Sequence, residues 1–502
     1  MKYFDILIIG AGLSGIGAAV HMKRECPDKS LAILEARSRL GGTWDLFNYP
    51  GVRSDSDMHT LGFRFKPWEA KKAIADGPSI LSYLKETVRE YDIETHIHYN
   101  HKMVKAAWSS PEARWTVELE SGETLSCNFL YMCSGYYNYA AGYTPEFDAM
   151  GDFSGQIIHP QHWDPKTDYQ DKDVVVIGSG ATAVTLVPAM AEAARSVTML
   201  QRSPGYLVAR PAVDSSANVM RALMPKQWAY NITRAKNVKF QSWLYKFTQS
   251  RPKLAKKILL GLTQRALGKA HDLSTDFSPS YYPWDERLCL VPDGDFFEAV
   301  KAGSARVKTG HIDKFESRGL RLKNGAFLPA DIIITATGLD VQIFGGASFE
   351  VDGEAVDFST RFSYEGMMFS GVPNMVNIFG YVNASWTLRL DIVSDWVCRL
   401  LRYMSDHQHA KAVPIAPQGM EMRPWFNFLP GYIRRAEHLL PRQGDREPWL
   451  HAQDYLRDKR VLAAHPIHDG ILQFSAPNKG TGKGSEHSAS QAGNAQSTAP
   501  AQ

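Results

Sequence analysis

The chemistry of this chain is set by what stands at the tips of two apolar runs. LAILE ends in Glu35, and VTMLQR ends in Gln201 and Arg202. Each run follows a glycine-rich turn: DILIIGAGLSGIGAA carries Gly10, Gly12 and Gly15 in GxGxxG order, and DVVVIGSGATAVTL, starting 168 residues later, carries Gly178, Gly180 and Ala183 in GxGxxA order. A turn of this kind between strand and helix aims free backbone N–H groups and the helix dipole at an anion, and the glycines let a pyrophosphate come close. A carboxylate at the next strand tip accepts hydrogen bonds from two ribose hydroxyls and repels a 2′-phosphate, whereas an arginine attracts one. The first site is therefore expected to hold FAD and the second NADPH. Ser14 falls in the first turn, and Ser179, Ala181 and Thr182 fall in the second.

These residues need strands and helices in a definite order to be useful. The run NFLYMCSG, ending in Gly135, and DIIITATG, from Asp331 to Gly338, both read as apolar strands followed by small residues where the backbone must pass a ligand. The expected fold is α/β, with two Rossmann-like dinucleotide-binding domains, the NADPH domain inserted in the FAD domain, and a helical subdomain. The expected boundaries are 1–150 and 336–477 for the FAD domain, 151–170 for a linker, 171–335 for the NADPH domain and 478–502 for a disordered tail rich in Gly, Ser, Ala and Gln.

Within the insertion, residues 215–271 hold twelve Lys or Arg and no acid. Trp243, Phe247, Leu254, Ile258 and Leu262 fall near helical spacing, which predicts one or two helices packed by an apolar face despite Pro252. The basic charge fits three readings: a solvated face, steering of anionic NADPH, or peripheral contact with an anionic membrane.

Composition removes several function classes. A net charge of +3 with 22% charged residues gives no bias toward nucleic acid, and none is expected as a partner. Cys26, Cys127, Cys133, Cys289 and Cys398 lack the spacing of a zinc site or a disulfide framework, so no metal is expected. With no close cysteine pair near the first turn, a disulfide reductase is also excluded. The uncharged run from Ile6 to Val20 has the length of a signal peptide, but Asp5 and the fingerprint glycines argue for a folded strand and a cytoplasmic protein.

The segment FSGQIIHPQHWDP, residues 153–165, has the order FxGxxxHxxxW with Phe153, Gly155, His159 and Trp163 in place. It resembles the signature of type I Baeyer-Villiger monooxygenases and, in shorter form, that of flavin-containing monooxygenases. GGTWDLFNYPGVRSDSDMHTLGFRFKPW, CSGYYNY, TMLQRSP, PWDERLCLVP and NASWTLR extend the similarity to about residue 475, closest to the ethionamide-activating branch. The resemblance implies flavin contacts at Thr43, Trp44, Arg53, Ser54 and Asp55, a backbone contact to the FAD adenine at Met103, and a close backbone pass at Gly338. It implies that Arg202 and Ser203 read the 2′-phosphate, and that Arg287 is the active-site arginine held by Asp55. Arginine suits that role because it stays charged and donates from a fixed fork. From the residues alone, Asp55 and Arg287 read first as a structural ion pair, and the resemblance moves the reading to catalysis. His159 and Trp163 are read as linker residues that couple the domains.

The implied reaction is an NADPH- and O2-dependent oxygen insertion through a flavin C4a-peroxide, turning ketones into esters and oxidising thioethers or thioamides. A small-molecule ketone or sulfide and O2 are the expected partners. The alternatives are an S- or N-oxygenating enzyme without ketone activity and an NADPH-dependent flavin reductase or oxidase.

Overall fold

A computed structural model describes residues 1–269, 271–285, 288–426 and 431–476. Arg287 and the tail 478–502 lie outside the described residues. The fold is α/β and is built on two separate sheets.

In the first sheet, β1 (Lys2–Ile9) lies between β2 (Leu31–Leu34) and Thr124–Met132, parallel to both. The strand Thr124–Met132 is shared. Its first residues pair with the antiparallel strand Arg114–Leu119, and its last three pair with Met375–Asn377 from far along the chain. Between β1 and β2 runs α1 (Leu13–Glu25), ten of whose residues are buried. A helix buried so completely shows little amphipathic period, which is why its apolar run looked like a leader segment.

The second sheet is fully parallel, in the order Ala305–Thr309, β4 (Ser196–Gln201), β3 (Asp173–Ile177), Ile332–Thr335, Gln156–Ile158. The helix α2 (Ala181–Met190) connects β3 to β4. The last strand, Gln156–Ile158, belongs to the segment read from sequence as a linker. Phe153, just before it, is buried with Phe315, Val175 and Ile177. Three residues are too few for a periodic signal, so only pairing with Ile332–Ile334 makes this segment a strand.

The two passages of chain between the sheets, Tyr137–Gly142 and Leu339–Val341, run antiparallel to each other. His159 holds them together. Its ring lies where a side chain on Gly142 would be, and its Nε2 is 3.1 Å from the Gly338 carbonyl oxygen. Burial pushes the His159 pKa down, favouring a neutral ring that donates to that carbonyl.

Residues 215–267 form three helices, α3 (Ser215–Leu223), α4 (Lys226–Ser250) and α5 (Pro252–Leu267). Pro252 does not break a helix; it begins one, where its missing N–H has no partner to lose. The expected inward apolar face is not found. Trp243 is 59% exposed and Leu262 49%, and Leu254 and Ile258 are also exposed. The buried side of α4 is instead polar and aromatic, with Tyr230, Thr233, Arg234, Asn237 and Val238.

Arg234 is the anchor of that side. Its Nη1 donates to the carbonyls of His59 (3.1 Å), Thr60 (3.1 Å) and Gly62 (2.7 Å), and its Nη2 donates to Asp391 (2.8 Å) on α6 (Trp386–Asp406). Asp391 also meets His21 of α1 at 3.1 Å. Burial alone would raise the Asp391 pKa, but His21 and Arg234 more than offset it and hold the carboxyl below its usual range.

Removing one partner of a buried pair strands the other charge. Arg234→Met is expected to cost about 3–5 kcal/mol in denaturant unfolding. The double variant Arg234→Met/Asp391→Leu should recover only part of this, because three carbonyls still lose their donor.

A second buried charge sets a pH dependence. Burial pushes Glu365 up to about 7 from 4.5, opposed by Arg389 and reinforced by Glu447 and Asp458, with Arg457 also opposing. His465 Nε2 approaches the same carboxyl at 3.6 Å. With the folded-state pKa raised, the folded protein holds the proton more tightly, and stability is lost as pH rises from about 4.5 through about 7. Glu365→Gln should raise the melting temperature at pH 8 and flatten the profile across that window; an unchanged profile would disconnect Glu365 from it.

Candidate functional site

Each fingerprint turn places its first glycine where a side chain cannot go. Gly10 has φ +105°, and a Cβ there would sit 2.7 Å from the Cys133 carbonyl oxygen; one on Gly15 would overlap the Gly10 carbonyl. Gly178 has φ +134°, and its Cβ would overlap the Ala336 carbonyl. The first and third positions are thus spoken for by chain packing, the helix against its own strand and the strand against its neighbour. The middle glycines differ. Gly12 and Gly180 cap α1 and α2 without any side-chain cap, and a Cβ on Gly180 would meet nothing within 4 Å. These two helix N-termini lack a side-chain cap, and uncapped N–H groups of this kind suit an anion.

A second glycine turn closes over the first. Gly42 has φ +55°, and its Cβ would come within 3.0 Å of the Gly12 Cα. It caps the short helix Thr43–Leu46, which places Thr43 and Trp44 beside the first turn. Trp44 is partly buried against the large apolar cluster of the first unit. Met103 begins the strand Met103–Ser109 and is buried.

The two strand tips carry opposite chemistry in the folded chain. Glu35, 5% exposed, follows β2 and accepts hydrogen bonds from the Ala11 N–H (2.8 Å) and the Arg37 N–H (2.9 Å). Burial raises its pKa, and these two backbone donors partly counter the rise. Each oxygen keeps lone-pair capacity for a ribose hydroxyl. At the other tip Gln201 is buried, its Nε2 donating to the Asp276 carbonyl (2.7 Å) and Thr309 Oγ1 (2.9 Å). Arg202 and Ser203 beyond it are exposed, and Arg202 has no ion pair among the described residues. Gln201 is therefore held by the structure, and Arg202 stands exposed at the strand tip.

The loop Tyr49–Asp57 bridges the two units. Tyr49 and Val52 are buried in the core of the second unit, and Gly51, with φ +74°, lies against Thr185 and Ala189 of α2. Arg53 is committed to a bidentate ion pair with Asp295, which fastens the loop to the helix Asp295–Ala302. Ser54 is buried and accepts from the Ser56 N–H at 2.9 Å. Asp55 is exposed at the crest of the loop.

Three features went unread in the sequence. The Trp386 indole N–H donates to Ser14 Oγ at 2.7 Å, so the segment NASWTLR braces the first turn. The Tyr139 ring is half-buried, with its hydroxyl hydrogen-bonded to Thr43. Asp57, 1% exposed, accepts from Asn237 (3.0 Å) and Gln241 (2.9 Å) of α4 and lines a cavity of about 480 Å³ together with Ile74, Arg210, Lys236 and Phe240. Its one legible signal was the N-cap pattern of Asp57 and Thr60. All five cysteines are buried free thiols, and the described residues contain no cluster of His, Cys, Asp or Glu able to hold a metal.

The model of the pyridine nucleotide-disulphide oxidoreductase family matches residues 7–239. The chain is 52% identical over 479 residues to the FAD-containing monooxygenase EthA of Mycobacterium tuberculosis, covering 94% of this chain and 98% of that protein. It is 46% identical over 480 residues to the probable FAD-binding monooxygenase AlmA of Acinetobacter baylyi, covering 94% and 96%. Among solved structures, an oxidised steroid monooxygenase bound to NADP superposes with a TM-score of 0.75 at 20% identity, covering 95% of this chain and 100% of that one. An open cyclohexanone monooxygenase superposes at 0.76 and 17% identity, covering the same shares.

Because a Cβ on Gly15 must displace the Gly10 carbonyl, Gly15→Ala should push α1 away from the turn. The variant is expected to purify with at least tenfold less bound dinucleotide than the parent, read from absorbance and released cofactor, while Gly151→Ala, whose Cβ meets nothing within 4 Å, should lose none.

Proposed function

This chain belongs to the FAD-containing monooxygenases, and from that premise we propose that it uses NADPH and O2 to convert ketones to esters and to oxidise thioethers or thioamides. The observation that carries the reading is the contrast between the strand tips, a buried Glu35 held by two backbone donors and an exposed Arg202 with no acid partner among the described residues. That contrast fits FAD at the first turn and NADPH at the second.

In this reading Gly10, Gly12, Ser14 and Gly15 receive the FAD pyrophosphate, and Glu35 accepts from the ribose. Thr43, Trp44, Arg53, Ser54, Asp55, Met103 and Gly338 complete the surroundings of FAD, with Arg53 acting through its hold on the loop. Gly178, Ser179, Gly180, Ala181, Thr182 and Ala183 receive the NADPH pyrophosphate, while Arg202 and Ser203 take the 2′-phosphate. When bound, FAD supplies dioxygen activation, with the two electrons coming from NADPH. Overall, ketone, O2, NADPH and a proton give ester, NADP+ and water.

Arg287 is proposed to stabilise the negative charge that builds on oxygen as the atom is inserted, and Asp55 to position its fork. Tyr49, Val52 and Trp163 exclude water between the units by closing the core beneath the loop. The five free thiols suit a reducing compartment, and the cytoplasm is the proposed location.

Arg202→Ala should raise KM for NADPH at least tenfold, about 1.4 kcal/mol, and change KM for NADH little. Equal use of both coenzymes by the parent would remove Arg202 from recognition. Arg287→Ala should still oxidise NADPH but lose ester or sulfoxide formation a hundredfold or more, releasing hydrogen peroxide instead. Arg287→Lys should recover only part, because it keeps charge and loses the fork. Product mass under labelled oxygen, across a panel of ketones and sulfides, tests the reading as a whole; peroxide with no labelled product would make the enzyme an oxidase.

A further inference from the structure

The outward side of the helical insert combines apolar and basic side chains in one pattern. On α4, Trp228 (69% exposed), Ile232 (45%) and Trp243 (59%) stand on the side opposite Arg234 and Asn237. On α5, Leu254, Ile258 and Leu262 recur every fourth residue and are all exposed, and Lys253, Lys257 and Arg265 run alongside them. Side chains three or four apart share one helix face, so α5 carries a continuous apolar stripe, while on α4 Lys236 and Lys239 stand between Ile232 and Trp243. An exposed apolar patch of this extent marks an interaction surface.

The charges say what kind. The acids that neighbouring elements offer to these helices are already taken: Glu69 by Lys226, Asp214 by Lys236 and Asp454 by Lys246. Lys239, Arg251, Lys253, Lys257, Arg265 and Lys269 have no ion pair among the described residues. With no acid between 215 and 271, the face would repel a second copy of itself. Tryptophan and leucine beside lysine is the composition that lies in a lipid interface, the apolar groups entering the headgroup boundary and the cations meeting anionic lipid. Among the described residues no helix is long and apolar enough to cross a membrane, so the contact is with its surface.

We propose that α4 and α5 form a docking surface for an anionic lipid bilayer, with Trp228, Ile232, Trp243, Leu254, Ile258 and Leu262 entering the interface and the unpaired lysines and arginines meeting the headgroups. The position of the cavity gives this docking a use. Phe240, 51% exposed on α4, also lines the 480 Å³ cavity bounded by Asp57 and Arg210. An apolar substrate dissolved in the membrane would meet the protein at that cavity wall without crossing water.

The test is vesicle flotation of the flavin-loaded enzyme. Vesicles of phosphatidylcholine with about 30% phosphatidylglycerol should carry the protein up at low salt, at least tenfold more than pure phosphatidylcholine, and release it as salt rises. Lys253→Glu/Lys257→Glu should cut binding at least tenfold with NADPH oxidation in solution unchanged. Trp243→Ser should weaken binding without changing its salt dependence. The proposal falls if the parent does not float, or if both variants float like the parent. It also falls if the charge reversal raises KM for NADPH with flotation unchanged, which would make the basic face a steering field. If Trp243→Ser splits a dimer and leaves flotation unaltered, the face is an interface between copies.

Discussion

The Arg234–Asp391 pair is the contact through which distant parts of the chain act as one body. A guanidinium buried this deeply is tolerable only if all its donors find oxygen, and here they find a carboxylate and three main-chain carbonyls. Those carbonyls belong to residues 59–62, immediately after the loop that spans the two units. The carboxylate belongs to α6, whose first residue, Trp386, braces Ser14, and Asp391 itself meets His21 on α1. One side chain of the insert thus sets the position of the bridging loop, and through α6 it reaches the helix that caps the first dinucleotide turn. Because the geometry must be met by four acceptors at once, it admits little sliding of α4 over the first unit.

The same logic explains why the loop Tyr49–Asp57 is so heavily committed. Its aromatic end is buried in the second unit, Arg53 is fastened to Asp295, and Asp57 is saturated by amide donors from α4. Asp55 is left at the exposed crest between these fixed points. Rigid neighbours on both sides fix the backbone of that crest, the kind of support that holds a side chain in one place. The ribbon between the sheets is stitched by His159 to the Gly338 carbonyl, a further tie between the two units.

Where sequence reading and structure part company, the reason is the same each time. Leu254, Ile258 and Leu262 have the spacing of a packed helix, and periodicity cannot say whether a stripe faces a core or solvent. The inner side of α4 carries Arg234, Asn237 and Thr233, residue types normally assigned to water, because the partner it packs against is a set of carbonyls and carboxylates. The segment around Gln156–Ile158 lacks any pattern of its own and becomes a strand only because Ile332–Ile334 offers an open edge.

Local chemistry was written plainly in the chain. The glycines at 10, 15 and 178, Glu35 and Arg202 at their strand tips, the α/β alternation and the FxGxxxHxxxW segment could all be read from residue types a few positions apart, because the constraints they answer, positive φ, close backbone approach and phosphate charge, act over a few residues. Tertiary structure alone decided that Gln201 is buried in hydrogen bonds while Arg202 is exposed, that Trp386 supports Ser14 across 372 positions, and that Arg234 is buried while Trp243 is exposed. These outcomes depend on which hydrogen-bond partners are within about 3 Å after folding, a matter of long-range packing that no local pattern of residue types contains.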